Sequence, residues 1–200
     1  PWIEVHAVNV ASRQVGGDYY EVVDAGEDAL CVAVGDVSGK GVPAALLMSS
    51  LQSAFLAARS VEPRLDRVCG HVNRFLFERT TPERYATFFV AEIARDGTCR
   101  YVNAGHNPPL AIGDGPPLGL FDDASYELQE VRLQPRDVLV VYTDGVTEAI
   151  DGEGVEFGDE RLARIVAAHR PGAAAEIAAA ILDAIASHTG SGADQTDDIT

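Results

Sequence analysis

The chain has 200 residues, a formal net charge of −16 and a sequence pI near 4.5. Such acidity argues against nucleic acid or an anionic membrane surface as partner, because both are gripped by clustered Lys and Arg. The 46% hydrophobic content supplies one sizeable core, and no run approaches the ~18 apolar residues that span a bilayer.

No signal-peptide pattern opens the chain, so a cytoplasmic protein is expected. The start at Pro1 instead of Met implies a fragment of something longer. Cys31, Cys69 and Cys99 are odd in number and lack zinc-type spacing, so all three are expected as reduced, buried thiols.

In chain order, residues 2–10 alternate and are rich in β-branched side chains, which predicts a strand. Residues 18–23 and 30–34 read as two strands joined by a polar turn. Gly39-Lys40-Gly41 then leads into Pro43, a good first-turn residue. Leu47, Leu51, Phe55 and Ala58 recur at helical spacing behind it. A second helix is predicted over 65–78, with Leu65, Val68, Val72 and Leu76 inward.

Residues 85–93 and 99–103 read as a hairpin around Arg95-Asp96-Gly97. Further strands are predicted at 108–112, 126–133 and 138–142, with a loop over 113–119. Helices are predicted at 159–169 and 173–187, followed by a polar loop. Strands and helices thus come in groups, which favours an α+β fold with antiparallel sheets and segregated helices over alternating βα units.

Four aspartates occupy four differently built stretches: Asp18 after Gly16-Gly17, Asp36 in Gly35-Asp36-Val37-Ser38-Gly39, Asp144 in Thr143-Asp144-Gly145, and Asp197 in Asp197-Asp198-Ile199-Thr200. A carboxylate at a buried strand end is costly unless something positive meets it. Several together suggest a site for hard divalent cations, which prefer oxygen ligands.

Blander explanations compete at each motif. Gly35 to Gly41 superficially resembles a phosphate loop, but the glycine spacing is one short and Gly41 stands where Ser or Thr should follow Lys40. Asp144-Gly145 alone would be an ordinary turn. Asp151-Gly152-Glu153-Gly154 lacks the full calcium-loop pattern. No Gly-x-Ser-x-Gly elbow occurs. His106, in Gly105-His106-Asn107, is a candidate ligand or proton donor, although turn histidines are more often structural.

Taken together and in order, five motifs resemble the SpoIIE/RsbU branch of the bacterial PPM-type (protein phosphatase 2C-like) Ser/Thr phosphatases. They are Gly16-Gly17-Asp18-Tyr19-Tyr20, Gly35-Asp36-Val37-Ser38-Gly39-Lys40-Gly41-Val42-Pro43-Ala44-Ala45, Tyr101-Val102-Asn103-Ala104-Gly105-His106-Asn107, Tyr142-Thr143-Asp144-Gly145-Val146-Thr147-Glu148-Ala149 and Asp197-Asp198-Ile199-Thr200. The resemblance covers essentially all 200 residues, as one PPM-type domain.

It implies an α-β-β-α four-layer sandwich, two mainly antiparallel sheets flanked by helix pairs. It also implies a binuclear Mn²⁺ or Mg²⁺ centre. By motif position Asp36 bridges the cations, the Val37 backbone carbonyl adds a ligand, Asp18 serves one cation, and Asp144 and Asp197 serve the other, with Asp198 as the alternative to Asp197. A water bridging the cations would attack a phosphoserine or phosphothreonine of a regulatory protein, such as a STAS-type anti-sigma-factor antagonist. Arg13, Lys40 and His106 are the phosphate-binding candidates.

The resemblance further implies an upstream sensor domain and a homodimer contact through helices within 43–78. The family continues past Asp-Asp-x-Thr into another core strand, whereas this chain stops at Thr200, so a last core strand is expected to be missing. Two rivals stand beside this expectation. One is a non-catalytic phosphoprotein-binding module, against which the presence of all four aspartates weighs. The other is a phosphomonoesterase acting on small molecules.

Overall fold

The computed structural model describes residues 2–81, 83–109, 125–190 and 195–200. Its centre is a five-stranded, wholly antiparallel sheet in the order β1 (Tyr19–Asp24), β2 (Ala29–Val37), β3 (Ala86–Ala94), β4 (Thr98–Ala104) and β5 (Gln129–Arg132). Between β2 and β3 the chain leaves the sheet to form α1 (Val42–Arg59) and α2 (Leu65–Phe77). One turn of helix, α3 (Asp144–Thr147), precedes α4 (Asp159–His169) and α5 (Ala174–Thr189).

The α1–α2 pair covers one sheet face. Leu51 and Phe55 of α1, Val68 and Val72 of α2, and Phe88 and Val90 of β3 are all fully buried there. Phe55 meets Phe88 edge-on at 5.3 Å. A Cβ on Gly35 would come within 3.0 Å of Leu51 and 3.1 Å of Phe88, so a side chain there would crowd the packing of α1 on β2.

The opposite face is covered differently. Phe89, Ala91, Ile93 and Tyr101 pack against Ile3, Leu133, Leu139 and Val141. Beyond them α4 and α5 bring Leu162, Ile177, Ile181 and Ile185 together with Tyr142, Val146 and Ile199. A cleft of about 640 Å³ remains between the sheet and these helices, lined in part by Tyr20, Val22, Val141, Ile181 and Thr200.

The helices fall close to their expected bounds, and β2, β3 and β4 match the expected strands. The three cysteines are free and buried. Residues 2–10 and 138–142 form no strand; among the described residues the backbone pairing there is the single bridge between Val10 and Ile199. Alternating side chains are satisfied by packing on the sheet, while a ladder needs a neighbouring strand at hydrogen-bonding distance. The expected strand over 126–133 is reduced to β5, and the expected strand and loop over 108–119 lie mostly outside the described residues. No described helix is long and apolar enough to cross a membrane.

Candidate metal centre

Each aspartate reaches one edge of the sheet by its own device. Asp36 lies near the end of β2, opposite Thr87 of β3. Asp18 stands immediately before β1 and is buried. Gly17 brings that loop against the end of β2, since a Cβ there would lie 3.1 Å from the Val37 carbonyl oxygen. Asp144 begins α3 directly after the buried segment ending in Thr143. Residues 197 and 198 are held by the Val10–Ile199 bridge and by the Thr143 N–H, which donates to the Thr200 carbonyl at 3.1 Å.

Burial and neighbouring carboxylates act together at this edge. Burial, reinforced by Asp18, Asp144, Asp197 and Asp198, pushes the Asp36 carboxyl up to about 8. Burial likewise raises Asp18 to about 6, although the Thr143 hydroxyl donates to its Oδ2 at 2.7 Å. Asp144 is raised by burial and by Asp197, against the opposing Gly145 N–H and Lys40. Lys40 contacts Asp197 Oδ2 at 2.8 Å, with both side chains 40% exposed.

This is an excess of negative charge with one lysine beside it. All the donors are hard oxygens, the set suited to Mg²⁺ or Mn²⁺ and ill-suited to zinc-type N/S coordination. Among the described residues no group of three or more His, Cys, Asp or Glu side chains already stands in a metal-holding arrangement. Lys40 occupies Asp197, and the remaining carboxylates interact through charge instead of meeting at one point.

The sequence model described as "Stage II sporulation protein E (SpoIIE)" matches residues 26–200. The chain belongs to the SpoIIE family. It is 28% identical over 196 residues to "Phosphoserine phosphatase RsbU" of Bacillus subtilis, a match spanning 92% of this chain and 58% of that relative. Its fold is similar to the SiaA-PP2C domain of Pseudomonas aeruginosa, with TM-score 0.85 and 23% identity over 96% of this chain and 81% of that one. It is also similar to the PP2C phosphatase domain of SpoIIE from Bacillus subtilis, with TM-score 0.80 and 22% identity over 96% and 59% of the two chains.

In this SpoIIE-family chain the candidate residues divide. Asp18, Asp36, Asp144, Asp197 and Lys40 share the sheet edge. Arg13 is exposed in the preceding loop, without an ion pair to any described residue. His106 is 2% exposed, with Nδ1 at 2.8 Å from Thr87 Oγ1. Burial pulls it down to about 4, so it is neutral and faces protein instead of solvent.

Asp198 is 6% exposed, and its carboxylate accepts from Ser12 and Gly17 in the loop before Asp18. Thr143 and Glu148 did not stand out as single residues in the sequence. Thr143 is fully buried and orients Asp18. Glu148 is raised by burial and then by Asp144, which places it at the rim. The adjacency of both to Asp144 in the motif was the available signal.

Proposed function

We propose that this domain, residues 1–200, is a metal-dependent phosphoprotein phosphatase acting on phosphoserine or phosphothreonine of a regulatory protein in the cytoplasm. The observation that carries the proposal is the placement of Asp18, Asp36, Asp144 and Asp197 around one end of β2, where burial, reinforced by the neighbouring carboxylates, pushes Asp36 up to about 8. Membership of the SpoIIE family and the similarity to a relative named as a phosphoserine phosphatase support it.

In this proposal Asp36 would be shared by two Mn²⁺ or Mg²⁺ ions, the Val37 carbonyl would be a further ligand, Asp18 would serve one ion, and Asp144 and Asp197 would serve the other. When bound, such ions supply a Lewis acid for water and offset charge on the phosphoryl oxygens. The chain itself orients the donors. Thr143 donates to Asp18, the Gly145 N–H favours the ionised Asp144, and Lys40 supplies positive charge at the open rim. His106 holds Thr87, the register partner of Asp36, and is too deeply buried to serve the phosphate.

The four-layer α-β-β-α arrangement belongs to the same proposal. The two helix pairs form its outer layers and the five-stranded sheet one inner layer. Residues 2–10, 138–142 and 198–200 form the other. A STAS-type phosphoprotein is the proposed substrate. Leu46 on α1, 66% exposed, with the neighbouring Val42 at 65%, supports a homodimer contact through the 43–78 helices.

The test is Mn²⁺-dependent phosphate release from a phosphoserine protein and from p-nitrophenyl phosphate. Asp36→Asn should lower both by at least about a hundredfold. Unchanged release would refute the metal centre. Cleavage confined to the small ester would refute the protein substrate.

A further inference from the structure

The Asp198 carboxylate is unlike the other acidic groups at this edge. Its Oδ1 accepts the Ser12 N–H at 2.7 Å and the Ser12 hydroxyl at 2.9 Å, and its Oδ2 accepts the Gly17 N–H at 2.7 Å. Three donors on two oxygens stabilise an ionised carboxylate. Although burial opposes ionisation, these donors hold Asp198 below its ordinary range.

The fit is steric as well as polar. A Cβ on Gly16 would lie 2.3 Å from Asp198 Oδ2, and one on Gly145 would lie 2.0 Å from the Asp198 carbonyl oxygen. Asp198 is therefore wedged between the loop that carries Asp18 and the turn that carries Asp144. Gly17, which it holds, is the residue immediately before Asp18. The other end of Asp18, its carboxylate, is held by Thr143, whose hydroxyl oxygen also accepts the Thr200 N–H at 3.0 Å.

We propose that Asp198 is a positioning residue for Asp18, a clip that fastens the Ser12–Gly17 loop to the 197–200 segment, and is not itself a cation ligand. The division of labour in the doublet follows from these donors. Asp197 keeps its Oδ2 at the open rim beside Lys40, while the Asp198 oxygens are spent on the loop. The inference rests on the proposal that these aspartates hold cations. Its distinct consequence is that Asp198 influences cation affinity only through Asp18.

A double-mutant cycle read by Mn²⁺ titration calorimetry tests this. Asp198→Asn places an amide N–H₂ against one of the N–H or O–H donors. It should weaken Mn²⁺ binding by about ten- to a hundredfold, the usual effect of losing a group that orients a ligand. In an Asp18→Asn background the same change should cost less than about twofold, since coupled residues are non-additive.

Ser12→Ala is the milder probe should Asp198→Asn not fold. It should weaken binding severalfold in the parent and not in Asp18→Asn, and Ser12→Thr, which keeps the hydroxyl, should restore it. Equal losses in both backgrounds would overturn the clip and leave the cation centre standing. Parent and Asp36→Asn proteins that bind Mn²⁺ identically would overturn both.

Discussion

The two halves of the site are built on different principles. Asp36 stands on β2, which is laddered to β1 on one side and β3 on the other and backed by the close-packed α1–α2 layer. The 197–200 segment is joined to the rest by the Val10–Ile199 bridge, by the Thr143 N–H to the Thr200 carbonyl, and by particular side chains, chiefly Asp198 and Thr143. A backbone ladder tolerates many side chains, whereas a junction made of side chains depends on each of them. The first half is a scaffold; the second is a fitted part, placed beside a cleft of about 640 Å³.

Core truncation should separate the halves most clearly. Leu51 is fully buried beneath Gly35, in the layer behind Asp36. Leu51→Ala should cost about 3–5 kcal/mol, as expected for a cavity that dense surroundings cannot fill. Ile181 of α5 borders the cleft and is 9% exposed. Ile181→Ala should cost about 2 kcal/mol, because existing space lessens the new cavity. Urea unfolding of both variants is the measurement, and equal losses would break the distinction between the layers.

Titration gives the halves opposite signs. Asp36 and Asp18 are raised to about 8 and about 6 from the ordinary 3.8. The folded, metal-free chain therefore holds protons that the unfolded chain has released. That stability is present below about pH 4 and is lost as pH rises through the folded values. Asp198, held below its ordinary range, contributes stability that is lost as pH falls instead.

In EDTA, Asp36→Asn should be more stable than the parent at pH 8.5, by about 1–3 kcal/mol. Each tenfold displacement of a protonation equilibrium is worth about 1.4 kcal/mol, and partial exposure of the site screens the total. The advantage should shrink steadily toward pH 4. A gap independent of pH would mean that Asp36 is not in the shared charge of the site.

The scaffold half was legible in the sequence because its signals are local. The alternation of β2, β3 and β4 and the 3.6-residue rhythm of α1 and α2 each lie within one stretch of chain. The aspartates were legible because glycines and apolar runs mark where they stand. The fitted half was not legible in the same way. Ser12 and Asp198 are 186 residues apart, and no periodicity links them. Residues 2–10 carry a strand pattern, but the pattern reports only which side chains face the sheet, not whether a neighbour completes a ladder. His106 was a candidate by position against a structural alternative, and only the packed structure sets its Nδ1 2.8 Å from Thr87 Oγ1 with the ring 2% exposed.

The smallest effect concerns Lys40, the lysine at the rim of the fitted half. Its contact with Asp197 is short at 2.8 Å, yet both side chains are 40% exposed. Water and salt screen such a pair, which is worth about 0–1 kcal/mol. Lys40→Ala should leave urea stability within about 0.5 kcal/mol of the parent. Its effect on cation affinity should be modest and in the opposite direction to that of Asp198→Asn. Removing an ammonium group from the Asp197 carboxylate frees an oxygen donor and removes a like charge from beside an incoming cation, so Mn²⁺ should bind about two- to fivefold more tightly at low salt. The gain should fade as ionic strength rises and the Debye length shortens. Weaker Mn²⁺ binding in Lys40→Ala would place the lysine among the supports of the fitted half, beside Asp198 and Thr143, instead of among the charges that occupy its open oxygen.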